Sequence, residues 1–337
     1  MKIIHLINDS NSERGGAQKL LSNLINEESE ILCCSNFSKC LSAKLKRLLW
    51  PCGVFFLTLM RRPEIVIIHS RCFLPMTFFF RILQIKTVFY AHANYQKKNI
   101  LFKLFRCDAY IAVSHCVYRL LIENKVKHTE VTLLRNPILS MQDVRTNYSY
   151  KEGLIRLAFV GSLEPWKGIV NLISLLEMFV NKNHLEVDLT IVGDGSLRKK
   201  IEIKANNDNL ININVIGYSS NPFRSVSHIS TIIIPSLEEG FGMVAIESIF
   251  HSKYVIYNSI PALIEVCAND NYCQPFNLQD YESLERLLLT SNSYITKLSD
   301  ASLMSFRKSY ISETYGLAIF LSEYKSFIKN FYREKCV

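Results

Sequence analysis

The order of apolar segments along the chain constrains its fold more than any other feature. Short apolar runs typical of buried strands alternate with longer segments whose apolar residues recur at helical spacing. The predicted strands cover residues 2–7, 30–34, 64–69, 87–91, 108–113, 131–134, 154–160, 187–192, 212–216, 231–234 and 254–257. Strands and helices that alternate in this way form mostly parallel sheets with helices on both faces. The sequence therefore predicts an α/β fold.

This pattern stops and restarts near the middle of the chain. The dipeptide Asn136-Pro137 ends a strand, and residues 139–152 are polar and hold no long apolar pattern. A second series of strands and helices then begins. Because 337 residues suffice for two domains of ordinary size, we predict Rossmann-like domains at 1–145 and 146–311, followed by a C-terminal helical segment at 312–337.

One stretch of the second half has the features of a ligand site. The run IIIPSLEEGFGMVAIES predicts a buried strand, a loop with two glycines and a helix. Gly240 and Gly242 lack Cβ atoms, so the loop backbone can approach a ligand, and the helix N-terminus favours an anion such as a diphosphate. Glu239 and Glu247 flank this cradle and suit neutral sugar hydroxyls. The stretch therefore predicts a nucleotide-sugar site.

These residues resemble the Glu-x7-Glu signature of the family 4 retaining glycosyltransferases. The resemblance includes the Gly-Phe-Gly between the acids and the Pro-Ser before them. It implies the GT-B fold, in which two Rossmann-like, doubly wound parallel-sheet domains face a central cleft. The same resemblance implies that the C-terminal helix, at 312–337, crosses back to the N-terminal domain. It also implies that Glu239 meets the donor sugar and Glu247 bridges the ribose hydroxyls. The residues assigned to the donor cradle are Gly240, Phe241, Gly242, Met243 and Val244. The competing interpretation is a surface loop with solvated glutamates.

Other loops of the second half complete the predicted donor site. A leaving diphosphate needs stabilisation, and the chain has no Asp-x-Asp pair to hold a divalent metal. We therefore expect no metal and no cofactor, with Lys167 as the cation unless it is a solvated loop lysine. Family members often carry Arg where this chain has Ser162, which leaves the phosphate clamp one charge short. Gly161 and Ser162 are assigned to the donor site, and Gly217 and Tyr218 to the nucleotide base.

The first half offers a histidine and a glycine pair. His92 follows a predicted strand, at the end where open α/β sheets bind ligands. The resemblance implies that this histidine faces the donor sugar, although a lone histidine is more often structural. Gly15 and Gly16 resemble the acceptor-side loop of the family, where Glu is more usual than Gln18, and a plain helix start fits them equally well. No G-x-G-x-x-G is present there, which argues against a dinucleotide-binding enzyme.

The net charge of +9 is concentrated in the first half of the chain. Residues 1–138 hold 20 Lys and Arg against 9 Asp and Glu, whereas residues 139–337 hold 19 against 21. In segments 44–50 and 97–106 the cations interleave with large apolar residues, as in helices at an anionic lipid interface. We predict docking on the inner leaflet; ordinary amphipathic core helices are the alternative. No nucleic-acid-binding module is recognisable, so a nucleic-acid partner is not expected.

The remaining composition indicates a cytoplasmic location. The ten cysteines form no C-x-x-C pair and no metal spacing with histidine, which favours free thiols in a reducing compartment. The apolar run at 3–7 is too short for a signal peptide, and the longest one, 48–60, is too short to span a bilayer. The expected location is the cytoplasm, with peripheral attachment to the inner face of the membrane.

The resemblance implies a hexosyltransferase-type enzyme. It would move a sugar from a nucleoside-diphosphate sugar to a glycan or lipid-linked oligosaccharide acceptor with retention, through front-face attack in which a donor phosphate oxygen takes the acceptor's proton. The implied setting is bacterial surface polysaccharide synthesis, such as O-antigen, lipopolysaccharide or capsule. Two alternatives stay open: an epimerase-like nucleotide-sugar-modifying enzyme on the same fold, and a catalytically silent nucleotide-sugar binding protein.

Overall fold

Runs of β-branched and aromatic residues build two parallel sheets in this protein. The computed structural model describes residues 1–8, 16–24, 29–33, 53–93, 100–139, 141, 144, 153–207 and 210–333. The chain divides into one unit formed by Met1–Pro137 with Leu317–Val337 and another formed by Ile138–Gly316. Each unit contains one six-stranded sheet with flanking helices, so the predicted α/β class is confirmed.

The sheet of the first unit has the strand order β2-β1-β3-β4-β5-β6, and every neighbouring pair is parallel. Its strands are β1 Ile3–Ile7, β2 Ser29–Cys33, β3 Ile65–Ile68, β4 Lys86–Ala91, β5 Ala109–Ala112 and β6 Val131–Leu133. The helices are α1 Gly16–Leu24, α2 at residues 53–60, α3 Thr77–Ile82, α4 Ile100–Leu104 and α5 His115–Glu123. Strands β1, β3 and β5 are buried at every position, as expected for a sheet covered on both faces.

The sheet of the second unit has the order β12-β11-β10-β7-β8-β9, again wholly parallel. Its strands are β7 Leu154–Val160, β8 Glu186–Val192, β9 Asn212–Gly217, β10 Thr231–Ile234, β11 Tyr254–Asn258 and β12 Cys273–Phe276. The helices are α6 Ile169–Asn183, α7 Arg198–Asn207, α8 Pro222–Ser225, α9 Met243–Phe250, α10 Pro261–Cys267, α11 Tyr281–Ile295 and α12 Ala301–Tyr315. The order reverses between β7 and β10, which is where doubly wound sheets open a crevice for ligands.

The last helix, α13 (Leu317–Arg333), belongs to the first unit. Its buried residues recur at helical spacing along one face: Phe320, Tyr324, Ile328 and Phe331. Lys86 Nζ donates to the Phe331 carbonyl, and Tyr332 donates to Glu64 Oε1 at 2.6 Å. Gly316 separates α12 from α13 in an extended conformation, and a Cβ there would lie 2.3 Å from the Ser312 carbonyl oxygen. The apolar pattern over 312–332 therefore comprises the end of one helix and the whole of another.

Strand β12 was not predicted from the sequence. Its residues Gln274 and Pro275 interrupt the apolar pattern, and proline cannot donate a ladder hydrogen bond. The strand is tolerated because it lies at the sheet edge, beside β11 only. Its ends, Cys273 and Phe276, are buried.

Candidate functional site

Two loops at the carboxyl ends of β7 and β10 meet beside the crevice of the second sheet. The loop after β10 is held to the loop after β7, since the Leu237 N–H donates to the Trp166 carbonyl at 2.8 Å. Gly168 has φ +70°, and a Cβ there would lie 2.0 Å from the Pro235 carbonyl oxygen, so this position requires glycine. The two loops therefore approach each other at backbone distance.

Lys167 and Glu239 form an ion pair within these loops. Lys167 Nζ lies 2.5 Å from Glu239 Oε1, and the two side chains are only 18% and 13% exposed. The Ser236 hydroxyl donates to the same carboxylate oxygen at 2.9 Å. The structure thus brings together two of the residues singled out in the sequence, 72 positions apart, and adds Ser236 to them.

A second layer of hydrogen bonds fixes the loop that carries Glu239. The Asn258 side chain donates to the Ser236 carbonyl at 2.9 Å and accepts from the Leu278 N–H at 3.0 Å. Asn258 is buried at the end of β11, so the amide is shielded from competing water. Neither Ser236 nor Asn258 was predicted as a site residue from the sequence; the Pro-Ser before the acids was the available signal for the serine.

The glycine loop leads directly into α9. Gly242 occupies the N-cap position with φ +103°, and a Cβ there would come within 2.9 Å of Leu263 Cδ2. The N–H groups of Met243 and Val244 precede those of Ala245 and Ile246, which donate to the Gly242 carbonyl, and they lie at the positive end of the helix dipole. Glu247 lies one turn further along α9 and is half-buried. This arrangement can bind an anion beside a carboxylate.

Gly161 and Gly217 lie at neighbouring strand ends, with Gly193 between them. The Gly161 N–H donates to the Val192 carbonyl at 3.0 Å, and the Gly193 N–H donates to the Gly217 carbonyl at 2.8 Å. A Cβ at Gly193 would lie 1.8 Å from the Gly161 carbonyl oxygen. Ser162 is half-buried directly after Gly161, and Tyr218, which follows Gly217, is exposed. Position 193 therefore requires glycine, because a side chain there would clash with the Gly161 backbone.

Arg198 is a cation of this region that the sequence analysis did not assign. Its guanidinium would lie 3.1 Å from a Cβ built on Gly217, and it pairs with Asp194 Oδ2 at 3.0 Å and with Glu202 Oε1 at 2.8 Å. The side chain is 37% exposed. Its positive charge is shared between these two carboxylates.

His92 lies directly after β4 in the first unit. Its Nε2 is 2.7 Å from His69 Nδ1, and its ring stacks on Tyr90 with centroids 4.3 Å apart. Burial lowers the pKa of His92 to about 3, so the ring is neutral at pH 7. Its Nδ1 is shielded from solvent and has no hydrogen-bond partner within the described part of the chain.

Some predicted features lie outside the described residues. They are Gly15, the basic segment 44–50 and the first three residues of 97–106. Gly16 is the first residue of α1. Across the described ranges, no three His, Cys, Asp or Glu side chains are grouped so as to hold a metal ion. None of the helices in those ranges combines the length and hydropathy that crossing a bilayer requires.

Comparisons with known proteins agree with this architecture. The family model described as glycosyl transferases group 1 matches residues 141–299, and the model described as glycosyltransferase family 4 matches residues 31–138. The uncharacterized glycosyltransferase MJ1178 of Methanocaldococcus jannaschii is 32% identical over 164 residues, which are 47% of this chain and 42% of that protein. The match thus spans less than half of that relative.

Two solved structures cover nearly the whole chain. Anabaena HepE, in complex with UDP and glucose, superposes with a TM-score of 0.75 at 14% identity over 98% of this chain and 99% of its own. The sucrose-phosphate synthase of Thermosynechococcus elongatus gives 0.77 at 12% identity over 99% and 100%. The two sheets and these similarities establish the α/β GT-B fold, and the family models support a glycosyltransferase.

Proposed function

We propose that this glycosyltransferase of the GT-B fold is a retaining enzyme that moves a hexose from a nucleoside-diphosphate sugar to a glycan acceptor. The observation that carries the proposal is the Lys167–Glu239 pair, held beside the N-terminus of α9 at the reversal of strand order. It sets a cation, oriented N–H groups and a carboxylate next to one another. A sugar diphosphate presents the matching groups: an anionic diphosphate and neutral hydroxyls.

The donor would be held by its three chemical parts. We assign the diphosphate to Lys167 and the first turn of α9, since both favour a leaving anion. Glu239 would orient the sugar, and Glu247 the ribose. The backbone at Gly217 and Tyr218 would contact the base, while Gly161 and Ser162 border the phosphates. Anabaena HepE binds UDP and glucose, which supports a nucleotide-sugar as the ligand class.

The contacts of Glu239 fit a positioning role. Glu239 Oε1 accepts from both Lys167 and Ser236, which fixes the carboxylate and disperses its charge. Double displacement uses two carboxyl groups at the sugar, and Glu247, the other acid of the pair, is assigned to the ribose. We therefore assign Glu239 to positioning, with a donor phosphate oxygen taking the proton from the acceptor hydroxyl. No step of this route requires a metal ion.

The acceptor would be lipid-linked, because the first unit carries an apolar face next to basic residues. We call this surface the α2–α4 face; its exposed members are Phe56, Met60, Phe78, Phe79, Ile82, Leu83, Ile100 and Leu104. Phe55 and Phe79 pack with ring centroids 5.5 Å apart and join α2 to α3. Arg81 donates to the Arg106 carbonyl at 3.3 Å and joins α3 to the segment after α4. The face is therefore continuous over these helices.

We assign an anionic lipid surface to the α2–α4 face on the basis of charge complementarity. Residues 53–107 contain nine Lys and Arg but one Asp or Glu, Glu64. Each cation near an anionic membrane contributes about 1 kcal/mol, and apolar side chains add their burial in the acyl boundary. Attachment to the inner leaflet would place the acceptor-binding unit, residues 1–145 in the predicted division, at a lipid-linked glycan of surface polysaccharide synthesis.

The donor reaction can be tested with purified protein, a panel of UDP-, GDP- and dTDP-sugars and a membrane extract as acceptor source. We expect one nucleotide to raise the melting temperature, and nucleotide release to require the extract. Glu247→Gln should lower kcat/KM by about 10- to 100-fold, since a hydrogen bond to a charged group contributes about 1.5–3 kcal/mol. Lys200→Met, a change at an exposed position of α7, serves as the control. Conversion of the sugar without acceptor and without nucleotide release would indicate an epimerase-like enzyme, and binding without turnover a silent binding protein.

Membrane docking can be tested by co-sedimentation with vesicles of phosphatidylcholine alone or with phosphatidylglycerol added. We expect binding to the anionic vesicles only. Phe78→Ser combined with Ile82→Ser should weaken it by at least about tenfold, since each side chain contributes on the order of 1.5 kcal/mol or more when buried. Ile203→Ser on α7 is the matched control, because Ile203 is 63% exposed in the other unit. Binding that ignores lipid charge or the double variant would refute the docking surface.

A further inference from the structure

Three histidines of the first unit form a continuous chain of ring nitrogens. His5 Nδ1 lies 3.0 Å from His69 Nε2, and His69 Nδ1 lies 2.7 Å from His92 Nε2. His5 is within β1, His69 follows β3, and His92 follows β4, so three adjacent strands supply one ring each. His5 is 0% exposed and His69 is 5% exposed. The chain thus runs from inside the sheet to its carboxyl edge.

The rings are held in place by stacking as well as by hydrogen bonds. The centroids of His5 and His69 are 5.3 Å apart, those of His69 and His92 are 5.0 Å apart, and Tyr90 stacks on His92. Tyr90 and Tyr324, from β4 and α13, are the other titratable groups here, and burial raises the pKa of both. The described contacts of the three rings include no carboxylate.

All three imidazoles are neutral at pH 7. Burial lowers the pKa of His5 to about 4 and that of His92 to about 3. Burial and the two neighbouring rings hold the pKa of His69 well below its usual range. A neutral imidazole has one N–H donor and one acceptor nitrogen. Each link of the chain therefore needs a proton on one ring and a lone pair on the next.

This rule couples the three tautomers. If His69 carries its proton on Nδ1, it donates to His92 Nε2 and accepts from His5 Nδ1, so all three rings are Nδ1–H. If His69 carries its proton on Nε2, all three rings are Nε2–H by the same reasoning. A mixed state would set two lone pairs or two protons against each other across 3.0 Å or less. The rings therefore share one tautomer.

We propose that His69 is a positioning residue that acts through His92, and that His5, His69 and His92 exchange tautomers as a unit. The two ends of the chain, His5 Nε2 and His92 Nδ1, are buried atoms with no partner among the described residues. One end is always a donor when the other is an acceptor. A ligand oxygen that accepts from or donates to His92 Nδ1 thus selects the tautomer that all three histidine rings adopt. That ligand is a sugar hydroxyl of a bound substrate, and this clause rests on the proposed function.

Nitrogen NMR of the protein labelled at histidine tests the coupling without any assay of activity. The ring nitrogen shifts report the fraction of Nδ1–H tautomer at each site, and His5→Phe, His69→Phe and His92→Ala assign the signals. We expect the same fraction in all three rings at pH 7, and no protonation of any of them down to pH 5. Different fractions, or a charged ring at pH 7, would overturn the inference.

The variants separate positioning from packing. His69→Phe keeps an aromatic ring but removes both nitrogens, so His5 and His92 should no longer show equal fractions. His5→Phe removes only the far end and should leave His69 and His92 equal. His69→Asn places an amide near the former Nδ1 and should restore part of the turnover that His69→Phe loses. His128→Gln, an exposed histidine of the same unit, is the control.

Activity tests the link to His92. We expect His69→Phe to lower turnover by about 10- to 100-fold, and the double variant with His92→Ala to lose no more than His92→Ala alone. Additive losses would mean that His69 acts independently, which refutes the positioning role. If the wild-type protein shows equal tautomers but transfers no sugar, the proposed function fails while the coupled chain stands. If it transfers sugar with unequal tautomers, the inference fails alone.

Discussion

Replacing Lys167 by methionine separates the structural and catalytic roles of the ion pair. The change keeps an unbranched side chain of similar length but removes the ammonium. Of the two groups that donate to Glu239 Oε1, only the Ser236 hydroxyl is then left. Removing one member of a fully buried pair costs about 3–5 kcal/mol. Because the two side chains are 18% and 13% exposed, solvent screens part of this cost, and we expect about 2 kcal/mol.

The companion substitution Glu239→Gln separates the effect of Lys167 on stability from its effect on turnover. In the double variant Lys167→Met with Glu239→Gln no charge is left unpaired, so stability should recover by about 1 kcal/mol or more relative to Lys167→Met alone. Turnover should not recover, because the diphosphate still lacks its cation; we expect a loss of at least about 100-fold in every variant without Lys167. Lys167→Arg keeps the charge and is the conservative comparison.

Two measurements decide the outcome. Urea unfolding of the four proteins gives the coupling free energy of the pair, and nucleotide release with acceptor present gives turnover. Additive stability effects would show that the contact contributes nothing to folding. Turnover that recovers in the double variant would refute the assignment of Lys167 to the leaving diphosphate, since charge balance at Glu239 would then be its whole role.

Two further predictions concern a glycine of the site loops and a buried lysine at the amino end of β11. Gly168→Ala should destabilise the protein by about 2–4 kcal/mol in urea unfolding, because φ is +70° and the new Cβ would lie 2.0 Å from the Pro235 carbonyl oxygen. Gly153→Ala is the control, because Gly153 has a similar φ of +77° but open space around the Cβ position. It measures the backbone part of the cost alone. Burial lowers the pKa of Lys253 to about 7, well below its unfolded value near 10.4. Between about pH 7 and pH 10.4 the unfolded state therefore binds more protons than the folded state, so the free energy of unfolding should rise with pH above 7. Relative to Lys253→Met, the wild-type protein should gain about 1 kcal/mol per pH unit from pH 7 to 9 in urea unfolding. A pH-independent difference would show that the three carbonyls to which Lys253 Nζ donates, those of Val226, Ser227 and Ile229, keep the ammonium charged over this range.

The local residue pattern was sufficient to predict the fold class. Runs such as Thr231–Ile234 are β-branched and buried on both faces, so their burial follows from composition. Glycines followed by a helix likewise marked the loop that ends at Gly242. These features are local, since propensity and periodicity act over a few residues. Strand β12 shows the limit, because an edge position tolerates Pro275 and leaves no apolar run to detect.

The contacts that give the site its chemistry depended on tertiary structure. Lys167 and Glu239 are 72 residues apart, and only the pairing of β7 with β10 brings their loops together. His5, His69 and His92 likewise form a chain because β1, β3 and β4 are neighbours in parallel register. Sequence alone marked His92 but not the two rings behind it, since side-chain patterns along a strand do not specify which strand lies next to it. Register and strand order are global properties, set by packing of the whole sheet.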